Sequence, residues 1–164
     1  MNICTHGSRT GTPPRPIDDD AAAAAAESAP PTQRGQAADL PHLLYIDDNP
    51  VNTLLLQEFF RLRRGPVLRV ADSGEQGLAM ARSAPPLAVL LDLHLPDMNG
   101  LEVLASLRAD PRTCQLPVAM VSGSTANALL QAALDQGADA VWSKPVDFNR
   151  LEQQLAELLA QRRS

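Results

Sequence analysis

An α/β fold, a doubly wound sheet of five parallel strands alternating with five helices, is what this 164-residue sequence predicts. Three observations predict it. From Leu43 to Lys144, apolar runs of four to eight residues alternate with longer stretches whose apolar residues recur at helical spacing. The run Leu87–Asp92 is almost continuously apolar, as a strand covered on both faces must be. Gly, Pro, Asn and Ser stand at the junctions between these segments.

In chain order, the first strand is Leu43–Ile46, followed by Asp47-Asp48-Asn49-Pro50. Asn49 suits a helix cap and Pro50 a first helical position, so a helix is predicted over 50–64, stopped by Gly65 and Pro66. Leu55, Phe59 and Leu62 recur at four and three residues and are the expected inward face of that helix. VLRVADS (67–73) reads as the second strand, and Ser73 as the cap of a helix over 74–84. The third strand, 87–92, follows Pro85-Pro86, and Asn99-Gly100 opens a helix that ends before Pro111. LPVAMVSG (116–123) is the fourth strand, 124–138 a helix with Gly137 at its end, and AVWSK (140–144) the fifth strand. The last helix, 147–160, carries Phe148, Leu151, Leu155, Leu158 and Leu159 on one face.

Residues 1–40 differ in texture. They hold nine Ala, five Pro and three Gly, with Met1, Ile3, Ile17 and Leu40 as the large aliphatics. Too little apolar surface is available there to offset chain entropy, so a disordered tail over 1–40 and one domain over 41–164 are expected. The net charge of −5 gives no reason to expect nucleic-acid binding. No apolar run approaches the roughly 20 residues that span a bilayer, and the segment before the alanine run is acidic, unlike a secretion signal. Cys4 and Cys114 match no metal or redox spacing, so a reduced, cytoplasmic protein is expected.

The chemistry gathers where strands end. The first strand ends in Asp47 and Asp48, the third in Asp92, the fourth in Ser122 and the fifth in Lys144 before Pro145. Taken alone, the Asp-Asp-Asn-Pro stretch also fits a simple cap and turn. A parallel sheet, however, would bring these ends to one edge, where ligands bind. Three neighbouring carboxylates do not all stay ionised without a cation, and an all-oxygen ligand set fits Mg²⁺ rather than zinc. With Lys144 and a hydroxyl beside them, the set suits phosphoryl transfer to a carboxylate nucleophile.

The motifs YIDDNPVN, LLDLHLPDMNG, VAMVSG and SKP, in that order over residues 41–162, resemble those of a bacterial response-regulator receiver domain. The resemblance implies a flavodoxin-like sheet of receiver topology. It implies that Asp92 takes a phosphoryl group from the phosphohistidine of a histidine kinase or histidine phosphotransfer protein. Asp47, Asp48, Asp92 and the backbone carbonyl of His94 would hold Mg²⁺. Ser122 and Lys144 would contact the phosphoryl group, a cis bond would precede Pro145, and the His94 and Ser124 side chains would tune phosphoryl lifetime. The resemblance is strongest to receivers of hybrid sensor kinases.

One position departs from the pattern. Receivers usually carry Tyr or Phe three residues before the lysine, where this chain has Val141, with Trp142 on the opposite strand face. Because the chain ends at Ser164, about where a last receiver helix would end, no DNA-binding or enzymatic output domain is expected, and signalling would run through an unknown output partner. Leu129, Leu130 and Leu134 offer a face for one. The alternative is a Mg²⁺-dependent phosphatase of the haloacid-dehalogenase type, which needs an Asp two residues after the nucleophile, where His94 stands.

Overall fold

Strands β1 (His42–Ile46), β2 (Val67–Ala71), β3 (Ala88–Asp92), β4 (Val118–Ser122) and β5 (Ala140–Ser143) alternate with helices α1 (Pro50–Leu62), α2 (Gly74–Ser83), α3 (Gly100–Ala109), α4 (Asn127–Asp135) and α5 (Phe148–Gln161) in the computed structural model. It describes residues 40–124 and 126–161, so the expectations for residues 1–39, including the disordered tail, lie outside the described residues. The sheet is parallel in the order β2-β1-β3-β4-β5. The chain moves outward from β1 to β2 and then crosses back to β3, so strand order reverses between β1 and β3. The crevice above that reversal is where an open α/β sheet binds its ligand.

Two apolar layers cover the sheet. Leu44, Ile46, Val89, Leu91 and Met120 point toward α2, α3 and α4. Leu43, Tyr45, Leu90, Val121 and Trp142 point toward α1 and α5, where Leu56, Phe60, Leu151, Leu155 and Leu158 meet them. The central strands β1, β3 and β4 are buried along their whole length, which accounts for their unbroken apolar runs.

The helix starts follow the local chemistry expected of them. Asn49 accepts N–H bonds at the start of α1 with Pro50 at its first position, Ser73 caps α2, and Asn99 with Glu102 forms a capping box at α3. Gly137 follows α4 with φ of +99°. Helix α4 spans only 127–135 rather than 124–138: the Ser124 and Ala126 N–H groups bond the Ser122 and Ser124 hydroxyls in a turn before it, and Gly137 with its positive φ lies past its end. The second and fourth strands are shorter than the expected 67–73 and 116–123, running over Val67–Ala71 and Val118–Ser122.

The inward face of α1 is not the expected one. Thr53, Leu56 and Phe60 are buried, whereas Leu55 is 53% and Leu62 72% exposed and Phe59 is half-buried. Seven of the thirteen α1 residues are Val, Leu or Phe and surround the helix, so two apolar stripes share the same spacing. Only docking to the sheet, where Leu56 and Phe60 join the layer of Leu43, Tyr45 and Leu68, selects between them.

Candidate functional site

Residues at the carboxyl ends of β1, β3, β4 and β5 share one edge of the sheet. Ile46 pairs with Leu91, Asp92 with Val121, and Ser122 with Ser143. One further step places Asp47 beside Asp92, with Lys144 just beyond β5. Carboxylate oxygens of Asp47, Asp48 and Asp92 lie within 4.8 Å of one another. Asp47 and Asp92 are buried and Asp48 is exposed, so the cluster opens to solvent on one side.

Lys144 bridges the two buried carboxylates. Its Nζ lies 2.8 Å from Asp47 Oδ2 and 3.1 Å from Asp92 Oδ1. It is the only lysine in the chain, and its side chain is 19% exposed. The bond from Lys144 to Pro145 is cis, as expected. The Lys144 N–H donates to the Ser122 carbonyl at 2.9 Å, tying the lysine to the end of β4.

The two carboxyls titrate in opposite directions. Burial pushes Asp92 up, and it outweighs the attraction of Lys144, with the Asp47 charge adding to the rise. Burial alone would raise Asp47 as well, but hydrogen bonds from Lys144, Tyr45 and the Asn49 N–H hold it below the usual carboxylate value. Oxygen-only, crowded and buried at two of its three carboxylates, this donor set fits a hard divalent cation.

Around this centre, the Ser122 hydroxyl is buried and its oxygen accepts the Ser124 N–H at 3.0 Å. The Ser124 hydroxyl accepts from Ala126 N–H at 3.3 Å. His94 is exposed, and its backbone N–H supports the Asp92 carboxylate. Gly100 packs under the end of β3, where a Cβ would overlap the Asp92 carbonyl oxygen. Its N–H bonds the Leu93 carbonyl at 2.8 Å, so absence of a side chain there lets α3 seat against the Asp92 backbone.

Three participants escape a reading of the sequence. Tyr45, buried in β1, donates its hydroxyl to Asp47 Oδ2 at 2.5 Å, and Asn52 on α1 donates to the same oxygen at 3.1 Å. The clue for Tyr45 was its position two residues before Asp47, on the same strand face. Burial and the neighbouring carboxylates push the Tyr45 phenol well above its usual pKa, so it remains a donor. Asp97 accepts the N–H groups of Gly74 and Glu75, each at 2.8 Å, and thereby caps α2 rather than shaping only its own turn. Val141 faces the α2–α4 layer and Trp142 the α1–α5 layer, so Trp142 does not take the place of the missing ring.

The family model for the response regulator receiver domain matches residues 43–156. The two-component response regulator ORR5 of Oryza sativa subsp. japonica is 30% identical over 123 residues, covering 73% of this chain and 89% of that protein. A CheY-like response regulator receiver domain protein from Methanospirillum hungatei JF-1 superposes with a TM-score of 0.69 at 26% identity, over 76% of this chain and 97% of the other. The receiver domain of a sensor histidine kinase from Pseudomonas aeruginosa PAO1, with a magnesium ion in its active site cleft, shares the fold with a TM-score of 0.67 at 21% identity, covering 73% and 98%.

Proposed function

Since the chain belongs to the response regulator receiver family of two-component signalling, we propose that Asp92 is its phosphoryl acceptor and that Mg²⁺ at Asp47, Asp48 and Asp92 supports the transfer. The observation that carries the reading is Lys144, suspended between Asp47 and Asp92 at 2.8 and 3.1 Å. A cation already sits where charge would develop, beside a carboxylate at the open end of the crevice.

The Asp92 carboxylate oxygen attacks the phosphorus of a phosphohistidine on a histidine kinase or phosphotransfer protein. A P–O bond forms, the P–N bond breaks, and its electron pair returns to the imidazole. Lys144 Nζ moves from Asp47 toward the new phosphoryl oxygens while keeping to the Asp92 side. The Ser122 oxygen keeps the Ser124 N–H, so its own O–H is available to donate to a phosphoryl oxygen. Asp47, Asp48 and the carbonyl of His94 would hold the cation, which when bound neutralises oxygen charge at the transfer site. The product is an acyl phosphate, and water attack at phosphorus releases phosphate and restores Asp92. His94, with an exposed side chain, and Ser124 each follow a site residue by two positions, and from there they would set water access and so phosphoryl lifetime.

Engagement of Ser122 would draw on β4 and on the loop before α4. With Val141 in place of a ring, that loop and the short, uncapped α4 are the path to an output partner. Leu134 is exposed on α4, whereas Leu129 packs into the core. Nothing favours the phosphatase alternative, since the side chain two residues after Asp92 is an exposed histidine.

Incubation with acetyl phosphate and Mg²⁺, followed by intact mass, tests the reading. The wild type should gain one phosphoryl group, and neither Asp92→Asn nor the wild type in EDTA should gain one. Equal modification of Asp92→Asn would overturn the assignment.

A further inference from the structure

Asp47 Oδ2 is the most heavily engaged oxygen of the site. It accepts from Tyr45 Oη at 2.5 Å, from Asn52 Nδ2 at 3.1 Å and from Lys144 Nζ at 2.8 Å, while Oδ1 accepts the Asn49 N–H at 2.8 Å. Only one of these donors, Lys144, is needed elsewhere during transfer. A buried carboxylate that loses its sole charged donor carries a large desolvation cost, which would hold the lysine in place. Tyr45 and Asn52 remove that obstacle, because both still donate to Oδ2 after the lysine has left.

The two donors come from separate elements. Tyr45 is fixed by β1, with its ring packed between α1 and α5, and Asn52 by the first turn of α1. The carboxylate is therefore held from two directions. An oxygen of Asp47 so held lies within 4.8 Å of oxygens of Asp48 and Asp92.

We propose that Tyr45, assisted by Asn52, is a positioning residue of the phosphoryl-transfer site: its hydroxyl holds Asp47 for the cation and releases Lys144 to the phosphoryl group. This rests on the assignment of Asp92 and the Asp47–Asp48–Asp92 cation site above. Without the hydroxyl, Asp47 relies on Lys144, which then competes with the divalent cation for the same carboxylate and is slower to leave. Partner groups behind a metal ligand typically contribute about 10–100-fold in affinity or activity.

The test uses Tyr45→Phe, which keeps the ring and removes only the hydroxyl, and Asn52→Ala, which removes the second donor without disturbing a helix. Mg²⁺ titration is read from Trp142, the only tryptophan and a member of the same apolar layer as Tyr45. Phosphorylation by acetyl phosphate is followed by intact mass at saturating Mg²⁺, and melting is recorded in EDTA. Tyr45→Phe should bind Mg²⁺ about tenfold more weakly and be phosphorylated about tenfold more slowly. The acetyl phosphate concentration for half-maximal rate should stay unchanged, because Tyr45 does not touch the donor. Asn52→Ala should show a smaller change in the same direction, and it carries the test if Tyr45→Phe does not fold. Wild-type affinity and rate in both variants would overturn the proposal, even if their melting temperatures fall, because Tyr45 would then serve packing alone. Failure of the wild type itself to bind Mg²⁺ or to accept phosphoryl would instead strike at the underlying site assignment, and the proposal would fall with it.

Discussion

Tyr45, Trp142 and Lys144 are each the only residue of their kind in this chain, and two of them touch Asp47 directly. The acidic residues, Ser122 and Lys144 were legible in the sequence because each follows an apolar run, and parallel strands deliver such ends to one edge. Tyr45 and Asn52 were not legible. A tyrosine inside an apolar strand reads as core, and its bond to Asp47 depends on the strand geometry. The role of Asp97 was not legible for a related reason, since its partners on α2 lie more than twenty residues away in sequence. The opposite shifts of Asp47 and Asp92 yield a stability prediction. Asp92 has its pKa raised by folding, so the folded state binds its proton more tightly than the unfolded chain, and its ionisation at neutral pH costs stability. In EDTA at pH 7.5, Asp92→Asn should therefore melt above the wild type. That gain should shrink as pH falls through the pKa of folded Asp92, and vanish below the unfolded carboxylate value of about 3.9. Paired thermal melts across that range check it, and a gain independent of pH would contradict the role given to burial.

Among the elements, α1 shows how periodicity can mislead. Its caps were readable from Asn49 and Pro50, but Leu55, Phe59 and Leu62 formed as regular a stripe as Leu56 and Phe60. The choice was made by packing on the sheet, which no local pattern records. Leu56→Ala should consequently cost about 2–5 kcal/mol, whereas Leu62→Ala, at a position 72% exposed, should change stability by no more than about 0.5 kcal/mol. Chemical denaturation of both variants decides between the two faces. The start of α3 gives a second prediction. A side chain at Gly100 would overlap the Asp92 carbonyl, so Gly100→Ala should cost about 1–3 kcal/mol through overpacking. Because the displaced backbone is that of Asp92, the rate of phosphorylation from acetyl phosphate should fall as well. A variant with unchanged stability and rate would show that α3 can shift freely beneath the site.

For the whole molecule, the alternation of strands and helices was sufficient to predict a doubly wound sheet, while the order β2-β1-β3-β4-β5 came from receiver resemblance and not from periodicity. That order decides function. It sets β1 and β3 side by side at the reversal, so that Asp47 and Asp92 share a crevice into which β5 brings Lys144 from 97 residues away in sequence. The most direct test is to trap the phosphorylated state chemically. After acetyl phosphate and Mg²⁺ treatment, borohydride reduces an aspartyl phosphate to homoserine, and peptide mass spectrometry locates the altered residue. The account predicts homoserine at position 92 alone. Conversion at Asp47 or Asp48, or no conversion in a protein that has gained phosphoryl mass, would contradict it.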